Sequence, residues 1–302
     1  MRVGFIGLGS LGGPLAERVL AGGFPLVVHD RDAAAVARLV AAGATAGATP
    51  RAVAAACDCV ITCLPSPGAV REVVAGSDGI VEGLRRGGTW IEMSTNDPHE
   101  LQRLAALAAG RGIATLECPV TGGVHKAAAG EITVIAGGDE EVFAAHRGLL
   151  EAIGGQVIHV GPLGKASVIK VITNMLAFIH LVAAGEALML AERGGVPLAT
   201  AYEVIRASSG NSFVHETESQ VILNGSYDIG FTLDLALKDL GFALDLGREF
   251  EVPLELAELV TASFTRAREA YGGSAQSSQV VKLLEDALGV DLRAPGFPAR
   301  LA

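Results

Sequence analysis

The stretch Val3-Gly4-Phe5-Ile6-Gly7-Leu8-Gly9-Ser10-Leu11-Gly12 joins a short apolar run to the glycine pattern G-x-G-x-x-G. The pattern alone is common, so its surroundings decide what it means. Here it directly follows a predicted strand at Val3–Ile6 and opens a predicted helix with Pro14 in its first turn, where proline is well tolerated. A strand, a glycine turn and a helix in this order predict the start of a dinucleotide-binding domain.

Each glycine of the pattern has its own predicted role. Gly7 permits the tight turn, Gly9 lets the backbone approach a pyrophosphate, and Gly12 lets the helix pack closely on the strand. The free N–H groups at the start of the helix would bind the phosphates. We therefore expect the cofactor to be bound by Gly7, Leu8, Gly9, Ser10, Leu11 and Gly12.

An acidic residue follows the second predicted strand, about twenty residues after the glycine pattern. A carboxylate at this place, Asp30, accepts a hydrogen bond from the 2′-hydroxyl of the adenosine ribose and favours NAD. Arg31 could instead stack on the adenine or bind the 2′-phosphate of NADP. Because Asp30 and Asp32 flank a single arginine, the sequence favours NAD as the cofactor, and NADP remains the alternative.

Short β-branched runs recur in the first half of the chain and then stop. They are Val3–Ile6, Leu26–Val28, Val60–Thr62, Trp90–Glu92, Ala114–Glu117, Ile132–Ala136 and Val157–Val160. Most of them alternate with helical patterns, which predicts βαβ units and a parallel sheet. After Gly161-Pro162 only long helical patterns follow. The sequence therefore predicts an α/β fold with two domains: residues 1–162 form the dinucleotide-binding domain, and residues 163–302 form a helical one.

The composition is that of a globular protein with an acidic surface. Of the 302 residues, 50% are hydrophobic and 19% are charged, which allows a sizeable core. The net charge of −10 repels polyanions, so we expect no nucleic-acid partner.

The four cysteines do not predict a metal site. Cys57, Cys59 and Cys63 form a C-x-C-x₃-C run, which is not a zinc spacing, and only Cys118 lies elsewhere. We expect buried, reduced thiols, as in cytoplasmic proteins.

The N-terminus does not resemble a signal peptide, because its apolar run is short and leads straight into glycines. The most apolar later segment, Val171–Gly185, is predicted to be too short for a bilayer span and to form a buried core helix. We therefore expect a cytoplasmic protein without a membrane partner.

Lys170 and Asn174 are candidate catalytic residues. They lie four residues apart in a very apolar predicted helix, and this spacing puts both on one face. A lysine partly removed from water has a pKa that falls towards neutral pH, as a general base requires. A lysine that keeps its ammonium in water, next to an incidental asparagine, is the alternative.

Two further segments follow predicted strands at the edge of the sheet where ligands bind in α/β folds. Ser94-Thr95 follows the run that ends at Glu92. Thr121-Gly122-Gly123 lies a few residues after the following run, which ends at Glu117. The threonine hydroxyl and the two glycine N–H groups can hold a carboxylate. An ordinary exit from strand to turn is the alternative for this segment.

Together these motifs make the chain resemble the β-hydroxyacid dehydrogenase family over nearly its whole length. The similar segments are Val3 to Gly9, Cys63-Leu64-Pro65, Ser94-Thr95 with Pro98, Pro119 to Gly123, Gly161 with Gly164, Lys170 with Asn174, and Lys238-Asp239. The resemblance implies a Rossmann-type, doubly wound parallel sheet, a long interdomain helix and an all-helical C-terminal domain. It also implies homodimers or homotetramers.

The resemblance also implies roles for individual residues. Lys170 would be the acid–base residue, and Asn174 would orient the substrate. The substrate carboxylate would be bound by Thr121, Gly122 and Gly123, and Lys238 would line the site. The nicotinamide-side turns would be Leu64-Pro65 and Ser94-Thr95, and Phe231 would shape the distal pocket.

Two positions depart from the family pattern. Thr121 replaces the usual serine, which keeps the hydroxyl and adds a methyl group. Lys165 replaces a glycine, which alters the hinge or adds a charge. Both departures bear on the substrate more than on the reaction.

The predicted reaction is hydride transfer between a nicotinamide cofactor and a small β-hydroxy acid of the 3-hydroxyisobutyrate type. Reduction of 2-hydroxy-3-oxopropionate (tartronate semialdehyde) is the alternative within the same class. A catalytically inactive dinucleotide-binding scaffold and an imine-reducing enzyme are rivals of other classes. The Lys170–Asn174 pair argues against both of them.

Overall fold

The computed structural model describes residues 1–301 and divides into two compact units, Met1–Lys170 and a second that starts at Val171. The first unit contains all nine strands of the described sheet. The strands are β1 (Val3–Ile6), β2 (Leu26–His29), β3 (Thr45–Ala46), β4 (Cys59–Thr62), β5 (Thr89–Glu92), β6 (Ala114–Glu117), β7 (Val120–Thr121), β8 (Thr133–Gly138) and β9 (Gln156–His159).

The strand order is β3-β2-β1-β4-β5-β6-β8-β7, and β9 pairs with β8. From β3 to β6 every pairing is parallel, which confirms the Rossmann-type, doubly wound sheet. The edge departs from the expected parallel arrangement, because β8 runs antiparallel to both β6 and β7. A parallel β8 would need a long right-handed crossover that returns the chain to the end of the sheet where β7 begins. The short helix between β7 and β8 leaves too few residues for this connection.

Helices separate the strands of the first unit. They are α1 (Gly12–Ala21), α2 (Ala33–Ala41), α3 (Pro50–Ala55), α4 (Pro67–Ala75), α5 (Ile80–Gly83), α6 (Pro98–Gly110), α7 (Gly123–Ala129) and α8 (Glu140–Ile153). Several begin at a side chain that caps a free backbone N–H, as Asp97 does for α6 and Asp139 for α8. The parallel strands are apolar and buried on both faces, for example throughout β1, β4 and β5.

The second unit is all-helical in its described part, which confirms the helical C-terminal region. Helix α9 (Lys165–Arg193) starts in the first unit and continues into the second. It is followed by α10 (Leu198–Arg206), α11 (Phe213–Asn224), α12 (Leu233–Glu249), α13 (Glu255–Tyr271), a 3₁₀ turn at Ser277–Val281, and α14 (Lys282–Leu288). The core of this unit packs around Phe178, Leu188 and Phe264. The domain boundary after residue 162 stays a prediction.

Helix α9 corrects the expectation of a short, buried apolar helix. It has 29 residues and extends beyond Val171–Gly185 at both ends, and 33% of its most apolar window is buried. By length and composition it is the one helix among residues 1–301 that would be able to cross a membrane. A single such helix is a weak indication, because core helices of soluble proteins share these features.

The four cysteines are free, as expected. Burial raises the pKa of Cys57 to about 11 and that of Cys59 to about 12. These thiols therefore stay protonated near neutral pH.

Candidate active site

The glycine loop between β1 and α1 has the shape that a pyrophosphate requires. Gly7 has φ of +96°, and a Cβ there would collide with the carbonyl oxygen of Cys63. A Cβ on Gly12 would collide with the carbonyl oxygen of Gly7. Gly9 is different, because a Cβ there would meet no atom within 4 Å. The loop is therefore tightly packed on its inner side and open at Gly9, where a phosphate would approach.

Asp30 is held at the end of β2 beside this loop. One carboxylate oxygen accepts the Leu8 N–H at 2.6 Å, and the other accepts the Asp32 N–H at 2.8 Å. Arg31 is exposed. A cavity of about 640 Å³ adjoins the loop and is lined by Leu8, Gly9, Ser10, Pro14, Glu17, Asp32, Ala34, Ala35 and Arg38. A cavity next to an open glycine, with a carboxylate anchored beside the same loop, fits the adenosine half of a dinucleotide.

The carboxyl ends of β4 and β5 are joined by a hydrogen bond. The Leu64 N–H donates to the Ser94 hydroxyl oxygen at 2.8 Å, and Ser94 is buried. This contact brings the segments Leu64-Pro65 and Ser94-Thr95 side by side. Pro65 is exposed and Thr95 is half-buried, so both segments reach the surface of the unit.

The turn after β7 contains Thr121, Gly122 and Gly123. Gly122 has φ of +127°, and a Cβ there would lie 3.2 Å from Cδ of Lys126. The aliphatic part of the Lys126 side chain therefore packs against this turn. Burial, together with the Lys126 charge, lowers the pKa of the neighbouring His125. A hydroxyl, two backbone N–H groups and a cation in one place suit a carboxylate ligand.

Lys170 is 8% exposed and lies in the second turn of α9. The start of this helix is fixed by Glu117, a fully buried residue at the end of β6. Glu117 accepts the backbone N–H groups of Gly164 at 2.5 Å, Ala166 at 3.0 Å and Ser167 at 3.1 Å. It also accepts the Ser167 hydroxyl at 2.5 Å. One carboxylate thus caps the positive end of the helix that carries Lys170. The helix begins at Lys165, which is exposed.

In the second unit, Asn174 and Lys238 meet around Asp239. The Asn174 amide donates to Asp239 Oδ2 at 2.6 Å, which turns the amide oxygen of Asn174 away from the carboxylate. The Lys238 ammonium lies 2.9 Å from Asp239 Oδ1, a charge contact without hydrogen-bond geometry. Asp239 itself is fully buried. Phe231 is half-buried and stacks on Phe178 at 6.1 Å in the same unit.

The structure adds residues that the sequence reasoning did not nominate. Glu92, Lys126 and Asp239 contact predicted site residues, and Glu117 holds the start of the helix that carries Lys170. A signal for two of them was present, because Glu92 and Glu117 are acidic residues at the ends of otherwise apolar strand patterns. Such a position signals a buried partner or a ligand.

Among residues 1–301 no group of acidic, histidine and cysteine side chains could hold a metal ion. A larger cavity of about 800 Å³ lies elsewhere in the first unit, beside His159 and Asp139. It is lined by none of the predicted site residues.

Comparison with known proteins covers nearly the whole chain. Residues 2–161 match the family described as the NAD binding domain of 6-phosphogluconate dehydrogenase. Residues 164–284 match the family described as NAD-binding of NADP-dependent 3-hydroxyisobutyrate dehydrogenase.

Individual relatives give the same picture. The chain is 36% identical to 2-(hydroxymethyl)glutarate dehydrogenase of Eubacterium barkeri over 97% of both chains. It is 34% identical to L-threonate dehydrogenase of Escherichia coli strain K12, over 93% of this chain and 94% of the relative. The crystal structure of 3-hydroxyisobutyrate dehydrogenase from Salmonella typhimurium superposes with a TM-score of 0.87 and 34% identity, and covers 94% of this chain and 99% of that one.

Proposed function

Because the chain belongs to the β-hydroxyacid dehydrogenase family and is an NAD(P)-dependent hydroxyacid dehydrogenase, we propose that its substrate is a small β-hydroxy acid of the 3-hydroxyisobutyrate type. The observation that carries this proposal is Lys170, a buried amine in a helix that Glu117 caps, within the same unit as the glycine loop. The acids in the relatives' names all combine a carboxylate with a hydroxyl group.

A panel of hydroxy acids tests the substrate. It contains 3-hydroxyisobutyrate, 2-(hydroxymethyl)glutarate and L-threonate, and 2-hydroxy-3-oxopropionate is added in the direction of reduction. Turnover is followed by the absorbance of the reduced cofactor. We expect the highest kcat/KM for 3-hydroxyisobutyrate. A higher value for 2-hydroxy-3-oxopropionate would transfer the assignment to the alternative, and a higher value for either other acid would refute it.

In this proposal each group of the chain has one task. The nicotinamide, when bound, supplies the hydride acceptor or donor. In the oxidation direction, Nζ of Lys170 accepts the proton of the substrate hydroxyl while the hydride leaves the carbon that bears this hydroxyl. In the reduction direction, Lys170 returns the proton. Asn174, oriented by Asp239, positions the substrate hydroxyl.

Binding and orientation are assigned to residues around the reacting carbon. The substrate carboxylate binds to the Thr121 hydroxyl and to the N–H groups of Gly122 and Gly123. Lys238 and Phe231 line the pocket. Leu64, Pro65, Ser94 and Thr95 contact the nicotinamide side of the cofactor.

We expect NAD to be preferred over NADP. Asp30 would lie near the added 2′-phosphate, and two unit charges about 4 Å apart repel by about 4 kcal/mol at an effective dielectric constant near 20. Solvent and Arg31 reduce this, so we expect kcat/KM for NAD to be higher by about tenfold, which corresponds to about 1.4 kcal/mol. Kinetics with both cofactors measure the ratio.

Two variants sharpen this cofactor test. Asp30→Asn should reduce the preference, and Asp139→Asn, which neutralises an exposed cap of α8 outside the cavity beside the glycine loop, should keep it. Equal use of both cofactors by the wild type would contradict the role of Asp30.

The methyl ester of a working substrate should be a poor substrate. Esterification removes the charge that Thr121, Gly122, Gly123 and Lys126 are proposed to bind, and hydrogen bonds to charged groups contribute about 1.5–3 kcal/mol. We expect kcat/KM to fall by roughly 10- to 100-fold, since every 1.4 kcal/mol is tenfold. Lys126→Met is the matched variant and should slow turnover of the acid while leaving that of the ester unchanged. Equal turnover of acid and ester by the wild type would show that the carboxylate binds elsewhere.

We propose that the chain forms homodimers or homotetramers. Large apolar side chains are exposed on α9 and α10, with exposed fractions of 43% for Leu176, 75% for Leu190 and 62% for Val204. Large apolar side chains that are exposed in this number are typical of protein interfaces. Light scattering at micromolar concentration should give a mass at least twice 30.8 kDa. Leu190→Glu should shift the mass towards the monomer, and a monomeric wild type would exclude the proposal.

We further propose that the enzyme acts in the cytoplasm on small carboxylic acids, without nucleic-acid or membrane partners. Its net charge of −10 and its four free thiols support this location.

A further inference from the structure

A buried carboxylate lies beneath the two segments that join the ends of β4 and β5. Glu92, the last residue of β5, is 1% exposed. Its Oε1 accepts the Ser94 N–H at 2.7 Å, and its Oε2 contacts the Thr62 hydroxyl at 2.5 Å. The Thr62 oxygen also receives the indole N–H of Trp90 at 2.9 Å. All four residues belong to the first unit.

The direction of these hydrogen bonds defines the state of the carboxyl group. An indole N–H can only donate, so the Thr62 hydroxyl accepts from Trp90 and directs its own hydrogen to Glu92. The backbone N–H of Ser94 can also only donate. In these contacts both oxygens of Glu92 accept, as those of an ionised carboxylate do. Burial of an ion costs free energy, so a retained buried charge at this place calls for a functional reason.

The position of the charge supplies that reason. Ser94, which is bound through its N–H by Glu92, receives the Leu64 N–H on its hydroxyl oxygen. Glu92 thus underlies the Leu64-Pro65 and Ser94-Thr95 segments, which are assigned above to the nicotinamide side. The nicotinamide ring carries a positive charge in NAD⁺ and none in NADH. A fixed negative charge beneath this edge distinguishes the two oxidation states.

We propose that Glu92 makes the enzyme bind NAD⁺ more tightly, relative to NADH, than it would without this charge. Glu92 acts as a positioning and electrostatic residue and does not itself touch the substrate. The inference rests on the proposed placement of the nicotinamide and goes beyond the proposed reaction, because it concerns the relative affinity of the two cofactor states.

The pKa of the neighbouring Cys63 thiol shows that the Glu92 charge acts beyond its own hydrogen bonds. Cys63 lies between Thr62 and Leu64, and burial, followed by the Glu92 charge, raises its pKa to about 12, while Lys170 acts in the opposite direction. The same thiol therefore senses both the Glu92 carboxylate and the Lys170 ammonium. The Glu92 charge therefore acts at the end of β4 where the Leu64-Pro65 segment begins.

The expected size of the effect follows from Coulomb's law. At an effective dielectric constant of about 20, two unit charges about 12 Å apart change an equilibrium constant by about tenfold. Neutralisation of Glu92 should therefore weaken NAD⁺ binding by about tenfold. It should change NADH binding by less than about threefold, because the reduced ring carries no charge for it to act on.

The test is a binding titration without substrate. Trp90 is the single tryptophan of the chain, and its indole belongs to the Glu92 network, so its fluorescence reports on the site directly. NAD⁺ and NADH are titrated into purified wild-type enzyme, Glu92→Gln and Thr62→Val. Thr62→Val keeps the charge and the side-chain shape but removes the hydroxyl. It should change the Trp90 emission and leave the ratio of the two Kd values unchanged.

Each possible result of the titration either supports the proposal or contradicts it. A selective loss of NAD⁺ affinity in E92Q supports the proposal. Equal weakening of both forms shows a structural role only, and two unchanged Kd values show that the charge does not act on the ring; either result overturns the proposal. A wild type that binds neither form refutes the proposed placement of the cofactor, which is a separate failure.

A second measurement needs no variant and covers the case in which E92Q does not fold. Wild-type enzyme is titrated with NAD⁺ and with benzamide adenine dinucleotide, whose ring has a similar shape and no charge. We expect NAD⁺ to bind about tenfold more tightly, by the same Coulomb estimate. Equal affinities would overturn the proposal.

Discussion

Replacement of Lys170 by methionine should lower kcat by a factor of about 10² to 10⁴ or more, because positioned proton transfer contributes on this order. Methionine keeps most of the side-chain volume in a position that is 8% exposed, so the fold should be retained. NAD binding should stay near normal, because the glycine loop and Asp30 are untouched. Loss of the amine should also abolish the rising limb of the pH profile in the oxidation direction.

Two controls separate the chemistry of Lys170 from its packing. Lys170→Arg should restore little activity, because a guanidinium stays protonated and cannot act as the base. Lys165→Met removes an exposed lysine from the first position of the same helix and should be nearly silent. If Lys170→Met retained more than about a tenth of wild-type turnover with an unchanged pH profile, Lys170 would be a structural residue.

Local signals made much of the first unit predictable. The runs Val3–Ile6 and Ala114–Glu117 coincide with β1 and β6, because short, β-branched stretches between glycines have few other uses in a parallel sheet. The strands β3 and β7 were missed, since each has two residues and two residues show no periodicity. The antiparallel direction of β8 depends on how the chain returns to the sheet, and no local pattern records that path.

Helix α11 in the second unit is another element that the local sequence pattern does not reveal. Its sequence, Phe213–Asn224, has little amphipathic contrast, so tertiary packing rather than periodicity establishes it. The apolar segment Val171–Gly185 lies within helix α9 as predicted, but the helix continues beyond it at both ends, where polar residues interrupt the apolar pattern.

Some residues of the candidate site can be predicted from the sequence, and others can be identified only in the folded structure. Glycines and a lysine in an apolar helix can be nominated from sequence, because their residue type and spacing already express their chemistry. Glu117 and Asp239 act through hydrogen bonds to residues 47 or more positions away, as in Glu117 to Gly164 and Asn174 to Asp239. Only the folded chain creates these pairs, so their roles follow from distances and burial.

Glu117→Ala should destabilise the first unit by about 3 kcal/mol or more, because each buried donor that loses its acceptor costs about 1–3 kcal/mol. Three backbone N–H groups and the Ser167 hydroxyl would lose their acceptor at once. Urea unfolding followed by Trp90 fluorescence measures this, because Trp90 is fully buried in the same unit. Glu151→Ala is the control: it removes an exposed carboxylate from a surface ion pair and should cost less than about 1 kcal/mol.

Glu117→Gln distinguishes support of the helix from stability in general. Glutamine keeps the side-chain volume and one acceptor oxygen. Its NH₂ group, however, faces backbone N–H groups that donate hydrogen bonds to the carboxylate in the wild type. We expect a loss of about 1–3 kcal/mol, the penalty for an unsatisfied buried group. Since these donors belong to the first turn of the helix that carries Lys170, kcat should fall while the Kd for NAD stays unchanged. If both variants unfolded at the same urea concentration as Glu151→Ala and kept full turnover, the Glu117 cap would neither stabilise the unit nor position Lys170.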